Sequence, residues 1–567
     1  MILIKYIPHQ SWNTVPSKLT NYGDQIILSG NNWDDYSFKT SFNMNVVLNN
    51  KEYKDWAVRI QIEGESYSAE YLDRLCENGW DGVFPIPNKN YISQFSSMDF
   101  YKTLISFLGK NNASQVLINF RDASYMKNIK NDASSLELIT KDEFKYSLIR
   151  DTGSHKSYEE SWLLFSEGVT TGIQDFCLNY LDKNQQLKKI YFKFSKQLLP
   201  NDINVLIGAN GVGKTYTIKI LTDYLLKINK GDIKTVGLNG INPFDKRPNF
   251  SKLILTSYSV FENFVVDLSD QNIKSNEKDN YKYFGLRARD KLDSSRIAIG
   301  RNIPSLDATK AVFNMINEDS QFNSLDWWVN KLELAKATLK KAFDFDEFIL
   351  EADGLINPDR RHDLISIDDK RYVVIDKKLH DIDKEILIEK LSDKRTISFL
   401  KNNKIVELSS GQKIFSYIVL NILGEIKEGS LIIIDEPELF LHPTLEIEFI
   451  GLLKLILAPF KSKAILATHS LSIVREVPAN CVHIYKESDL GLNIENPPFQ
   501  TFGGDMQRIS TYVFGDSLLK KPYEDFIKDL LETGKYKPDE LISELSQNIN
   551  EEMIMDIKIW ESMNNGN

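Results

Sequence analysis

Gly208-Ala-Asn-Gly-Val-Gly213-Lys214-Thr215 sets three glycines, an ammonium and a hydroxyl in one short loop. The spacing is G-x-x-x-x-G-K-[ST]. Glycine lets successive backbone N–H groups turn to one side, and such a nest holds phosphate oxygens. Lys214 is placed to reach the terminal phosphates and the Thr215 hydroxyl to ligate Mg²⁺. Three further stretches carry ionisable or anion-binding groups. Asp435-Glu436-Pro437-Glu438 follows the apolar run Leu431-Ile-Ile-Ile434. His469-Ser470 follows Ala464-Ile-Leu-Ala-Thr468. Leu408-Ser409-Ser410-Gly411-Gln412 opens an apolar helical pattern that runs through Leu423.

The elements around these residues are legible from periodicity. Ile203-Asn-Val-Leu-Ile207 reads as a buried strand, and Ile218, Leu221, Leu225 and Ile228 fall at helical spacing after the loop. That helix brings a partial positive charge to the phosphate site. Lys252–Thr256, Ser430–Ile434 and Ala464–Thr468 are further apolar strands. Apolar strands alternating with helices predict a parallel sheet covered on both faces. Ligands of such sheets lie at the carboxyl ends of the strands, where each of these motifs falls.

Elsewhere the pattern is plainer. Trp56–Ile62 alternates as a strand, Met98–Leu108 reads as a helix, and Gln115–Phe120 as a buried strand. Asn31–Tyr36 is a polar turn in which Asp34 and Asp35 read as solvated. Asp151–His155 reads as a linker. Leu187–Phe194 alternates as a strand, with Tyr191 and Phe194 as core residues that also have the chemistry to stack on a base. Leu325–Phe343, with Trp327 and Trp328, reads as a helix with a wide apolar face. Arg287, Arg289, Arg296, Arg301 and Arg360-Arg361-His362 are interleaved with acids and read as solvated rather than as a nucleic-acid patch. Thr396–Leu400 and Ile405–Leu408 flank a hairpin turn.

The formal charge of −10 and pI near 5.5 exclude a globally basic coat for nucleic acid. With 42% hydrophobic and 26% charged residues in 567, the chain is a folded one of about three to four domains. Cys76, Cys177 and Cys481 have no metal spacing and predict no disulfide framework. The first residues lack the apolar core of a signal peptide, and no apolar run is long enough to span a bilayer, so a cytoplasmic chain without membrane contact is expected.

Taken in order, the phosphate loop, the Ser-Ser-Gly-Gln turn, the acidic strand end and the strand-end histidine resemble the ATP-binding-cassette ATPases over residues 185 to 485. The resemblance implies an α/β fold: a P-loop ATPase head with a parallel-rich sheet, a helical insertion and a separate N-terminal mixed α/β domain. It implies ATP and Mg²⁺ as ligands and ATP hydrolysis as the activity. Gly208, Asn210, Gly211, Gly213, Lys214 and Thr215 are then expected on the nucleotide, and Thr215 and Asp435 on the metal. Glu436 is the expected general base and His469 the residue that senses the terminal phosphate. Ser409, Ser410, Gly411 and Gln412 form the signature turn, which in this family closes on nucleotide held by a second subunit. A homodimer with two composite sites follows. The domains expected are an N-terminal α/β domain (1–165), ATPase lobes (185–285 and 396–487) around a mainly helical insertion (286–395), and a helical tail (488–567).

Glu436-Pro-Glu-Leu-Phe-Leu-His442-Pro443 is similar to the branch that contains DNA-repair ATPases, overcoming-lysogenisation-defect nucleases and antiphage ATPases. Ser257–Phe264, Tyr281–Arg287, Thr501–Gly504 and Val513–Asp516 are similar to the ATPase subunit of Septu-type defence systems. One departure is the absence of the glutamine that many cassettes carry after the second strand, near Ser257. Residues 216 to 407 show no sustained heptads, so a long coiled coil is not expected. No nuclease cluster is visible, so the resemblance implies a sensor or motor subunit with an effector, such as a nuclease, in another chain. The alternatives are a DNA-maintenance clamp that contacts nucleic acid without an effector, and the energy-coupling subunit of a transporter. The tail after Pro522 reads either as a docking or dimer element or as packing on its own head.

Overall fold

The computed structural model describes residues 2–8, 23–31, 38–167, 172–195, 198–228, 242–268, 276–290, 296–355, 364–379, 381–392, 395–488, 491–515, 522–533 and 536–564. Asp34, Asp35 and Arg360-Arg361-His362 lie outside the described residues. Residues up to Gly503 form one compact unit and Gly504–Asn567 a second.

The centre of the first unit is a seven-stranded sheet. Its order is Tyr281–Gly285, Leu253–Ser257, Leu431–Asp435, Lys463–Thr468, Ile203–Gly208, Val482–Ser488 and Gly491–Glu495. The first six run parallel and only the last edge strand is antiparallel. Continuous apolar strands demand cover on both faces, and Ile432, Ile433 and Ile434 are at most 1% exposed. Burying each such side chain contributes roughly 1.5–3 kcal/mol. The sheet is therefore rigid where its carboxyl ends must hold chemistry. Register places Ser257, Asp435 and Ala467 side by side, with Thr468 beside Ile207.

The N-terminal region carries its own five-stranded sheet, Leu3–Tyr6, Gln25–Gly30, Ser41–Leu48, Lys51–Ile62 and Tyr91–Phe95, in sequence order. Its core includes Tyr53, Phe95, Phe100 and Phe120, and also Phe322 and Leu325 from beyond the phosphate loop. Gln115–Phe120 is not a strand; it ends the helix Met98–Phe120, which kinks at Gly109 (φ +69°). A six-residue apolar run has no period that separates a buried strand from a buried helix. Asp151–His155 is not a linker either. Asp151 caps the helix Thr152–Glu160 by accepting from Ser154 N, and it pairs with Arg59 at 2.6 Å, with both side chains buried. Leaving Arg59 buried without that carboxylate costs on the order of 3–5 kcal/mol.

Residues 286–395 contain the helices Ile303–Phe322, Lys331–Leu339 and Asp381–Glu389, and also strands. Leu364–Ile367, Lys370–Val374 and Glu347–Glu351 join Ser398–Lys401 and Lys404–Ile405 in an antiparallel sheet. The expected hairpin at 401–404 turns through Asn402 and Asn403, both at positive φ. The helix read over Leu325–Phe343 is confined to Lys331–Leu339. Trp327 and Trp328 precede it, and the Trp328 indole donates to Asp319 at 2.8 Å. Phe194 is buried in the core under the sheet, whereas Tyr191 is exposed.

The second unit begins at Gly504 rather than at 488. Met506–Phe514, Pro522–Glu532, Pro538–Leu545 and Glu551–Asn564 are its helices, with Ile527, Leu531, Leu541 and Ile557 as its core. Among the described residues no helix is long and apolar enough to cross a membrane.

Candidate nucleotide-binding site

The phosphate loop joins the buried strand Ile203–Gly208 to the helix Lys214–Leu226. Gly213 is the N-cap at φ +109°, a conformation an L side chain rarely takes, and no side chain caps this helix. The first-turn amides are thus left to an external acceptor. Lys214 is 5% exposed, and its Nζ donates to the carbonyls of Gly208 (2.9 Å) and Ala209 (3.0 Å). Burial pulls its pKa down, against the pull of Glu436, Asp435 and Glu438. An ammonium curled back onto its own loop has spare capacity for phosphate oxygens. Asn210 and Gly211 are exposed at the mouth of the loop.

Thr215 Oγ1 donates to the Asp435 carboxylate, 3.2 Å from Oδ1 and 3.1 Å from Oδ2. The parallel strands bring these residues together from opposite ends of the domain. A hydroxyl facing a carboxylate at this spacing is the oxygen pair that a hard cation takes. Asp435 is held well above the usual carboxylate range by burial, then by Glu262 and Glu436. That crowding of negative charge fits a cation as its partner.

Glu436 leaves the strand in the left-handed region (φ +50°, ψ 57°), which costs a non-glycine residue on the order of 1–3 kcal/mol. Its amide donates to Ala467 O at 2.9 Å, so the neighbouring strand pins the turn. The side chain meets His469: Nε2 lies 3.2 Å from Glu436 Oε1, and Nδ1 lies 3.2 Å from both Gly208 O and Lys214 Nζ. Glu438 accepts the backbone N–H of His469 and so fixes where the histidine begins. Its other oxygen is buried without a hydrogen bond, and burial raises its pKa.

The hydrogen bond to His469 lowers the pKa of Glu436, and the same bond raises that of His469. The His469 contribution to stability is then full below its ordinary 6.5 and fades as pH rises through the higher folded value. The Glu436 contribution is present above 4.5 and is lost as pH falls through the lower folded value. In the nucleotide-free protein, the imidazole C–H resonance of His469 is expected to titrate above 6.5 and to move down in Glu436→Gln. An unmoved midpoint in that variant would contradict the pairing.

The signature turn lies apart from this cluster in its hydrogen bonding. Ser409 and Gln412 form a capping box for the helix Ser410–Glu425: Gln412 N donates to Ser409 Oγ and Ser409 N to Gln412 Oε1. The Gln412 side chain is thus occupied by its own helix. Ser409 and Ser410 are exposed, and the amides of Ser410 and Gly411 are the remaining donors of the first turn. Gly411 is required by proximity, since a Cβ there would stand 2.6 Å from Phe440 O. The Pro437–Phe440 turn after the acidic strand therefore packs directly on the signature turn. His442 caps the next helix, Pro443–Leu457, by accepting from Thr444 N.

One residue absent from the sequence-level set belongs here. Glu262 lies in the loop after Leu253–Ser257, is 7% exposed, and exchanges electrostatic influence with Asp435 and Glu436. Its only signal in the sequence is a carboxylate close behind a buried strand, and only the sheet order shows which strand lies alongside. A cavity of about 700 Å³ lies elsewhere, against the N-terminal sheet. Its lining includes charges already paired within the chain, Arg59 with Asp151 and Lys427 with Glu318.

Comparison with known proteins matches residues 203–475 to the family described as "AAA domain, putative AbiEii toxin, Type IV TA system". That stretch is a P-loop ATPase domain. The chain is similar to Protein ea59 of Escherichia phage lambda, with 23% identity over 504 residues, 87% of this chain and 86% of that protein. Among solved structures it is similar to the SMC head domain from Thermotoga maritima, with a TM-score of 0.27, 11% identity, and coverage of 58% of this chain and 100% of that one. It is also similar to Stu0660 of Streptococcus thermophilus, with a TM-score of 0.25, 12% identity, and coverage of 57% and 76%.

Proposed function

We propose that this chain hydrolyses ATP as a homodimer with two composite sites, and that the cycle drives an effector in another chain of an antiphage system. The observation that carries the reading is the run of contacts Thr215–Asp435 and Glu436–His469–Lys214 across three adjacent parallel strands. Lys214 and the first-turn amides bind and orient the phosphates. Thr215 and Asp435 would hold Mg²⁺, which neutralises charge on the transferring phosphoryl group when bound with the nucleotide. Glu436 takes a proton from the attacking water at the oxygen not held by His469. His469 sets the position of that carboxylate and bridges it to the loop.

The dimer reading rests on what surrounds the site. Phe261 (92% exposed), Leu439 (49%) and Phe440 (41%) are large apolar side chains in the loops that follow the two neighbouring strands. Together with the open amides of Ser410 and Gly411 they suit the face of a second copy. The effector reading is supported by the toxin–antitoxin wording of the matched family. A mixing experiment tests the composite site. Lys214→Ala and Ser410→Arg are each expected to be inactive alone. Random pairing restores one competent site to half of the dimers, so the mixture should recover about a quarter of wild-type ATPase activity. A mixture as inactive as its parts would leave no room for a shared site.

A further inference from the structure

The hydrogen-bond ladder between the strands Leu431–Asp435 and Lys463–Thr468 ends before His469 is reached. Asp435 and Ala467 are its last partners in register. The amide of Glu436 still donates to Ala467 O at 2.9 Å, but at that residue the acidic chain turns away in the left-handed region. Pro437, the next residue, has no N–H to offer, and the chain passes into the short turn Pro437–Phe440. The N–H of His469 is taken instead by a side chain, the carboxylate of Glu438. Glu438 thus supplies one more rung beyond the end of the ladder.

Both ends of this rung are fixed. Leu439 N donates to Glu436 O at 3.2 Å and Leu441 N to Glu438 O at 3.0 Å, which closes the turn that carries the carboxylate. The same turn is wedged against Gly411, where Phe440 O leaves no room for a Cβ. On the other strand Ala467 and Thr468 are fully buried, and Ser470 N donates to Thr468 Oγ1 at 2.9 Å. His469 lies between these anchors. Its Nε2 is 3.2 Å from Glu436 Oε1 and its Nδ1 3.2 Å from Gly208 O, so a shift of its backbone disturbs both contacts at once. A buried carboxylate is costly, and burial raises the pKa of Glu438 although the His469 amide and the Thr468 hydroxyl favour its charge. The turn closes by its backbone alone, so the acid serves what it holds.

We propose that Glu438 is a positioning residue for hydrolysis: it holds His469 by the main chain and so keeps the imidazole where it aligns Glu436 with the attacking water. This rests on the ATP-hydrolysis reading above. The reach of the side chain matters more than its charge, because the group it holds is a backbone amide. Nucleotide binding is left to Lys214 and the loop amides, so the role shows in turnover and not in affinity.

The test compares the full chain with Glu438→Gln, Glu438→Asp and Glu438→Ala, by ATPase rate and by calorimetry with a non-hydrolysable ATP analogue. Glu438→Gln keeps the reach and an acceptor oxygen, and its kcat should stay within about threefold of wild type. Glu438→Asp keeps the charge but is one methylene short, and Glu438→Ala lacks the acceptor; both should lose at least about tenfold in kcat. Analogue affinity should stay within about twofold in all three. In protein made with isotope-labelled histidine, the His469 amide resonance should keep its place in Glu438→Gln and move in the other two, as a charge-assisted or neutral acceptor is kept or lost. An active Glu438→Asp beside an inactive Glu438→Gln would make the role one of charge and overturn the proposal. Full turnover in Glu438→Ala, or a fall in affinity that matches the fall in rate, would also overturn it; both leave the ATP-hydrolysis reading intact. A wild-type chain that binds the analogue but has no ATPase activity would remove both.

Discussion

Glu436→Gln is expected to bind ATP at close to wild-type affinity and to hydrolyse it at least about 10²-fold more slowly, the contribution of a positioned general base. The substitution keeps the shape of the side chain and its ability to accept from His469, but removes the proton acceptor. Two features argue that this carboxylate is built for such a task. Its backbone is held in a left-handed conformation that a glutamate does not choose, pinned by the bond from its amide to Ala467 O. Its pKa is lowered by His469, so it is ionised and ready to accept at neutral pH. Because binding survives while hydrolysis does not, the variant should accumulate as an ATP-bound dimer. Sizing in ATP and Mg²⁺ checks this: the mass should double on adding ATP. A mass that does not respond would count heavily against the dimer, and turnover at the wild-type rate would remove Glu436 from the reaction.

Lys214→Ala should lose nucleotide affinity itself. A charge-assisted hydrogen bond contributes about 1.5–3 kcal/mol, so a lysine making more than one to phosphate predicts a loss of about 10²-fold or more. The free chain shows the reach: Nζ is already inside the loop, bonded to Gly208 O and Ala209 O and close to His469. The variant also strips His469 of the neighbour that lowers its pKa, so the histidine should titrate higher still. That second effect needs no nucleotide and shows whether the site remains folded. Binding of ATP as in wild type would mean that the loop is not the phosphate site.

Both predictions start from residues that are readable in the chain. Spacing alone marks Gly208 to Thr215, because a phosphate nest is made by consecutive residues and its geometry is local. The same holds for the apolar strands around it and for the capping turn at Ser409–Gln412, whose two hydrogen bonds close within four residues. Where periodicity is weak, local reading fails. Gln115–Phe120 is apolar throughout and belongs to a helix. Asp151–His155 is polar, and its first four residues are buried because Arg59, far away in sequence, needs the Asp151 carboxylate.

What the linear pattern contains, then, is the list of groups: a phosphate loop, a carboxylate pair, a strand-end histidine and a small-residue turn. Their distances are a property of strand order. Leu431–Asp435 lies between Leu253–Ser257 and Lys463–Thr468, and Lys463–Thr468 lies against Ile203–Gly208. That arrangement joins Thr215 to Asp435 and His469 to Lys214, and it brings Glu262 to the same edge. No periodicity encodes it, because strand order is decided by how the buried faces of distant segments pack together. Glu262 shows the difference most clearly: in the chain it is one acid among many in a loop, and in the fold it is a buried carboxylate in the loop that follows the strand paired with Leu431–Asp435.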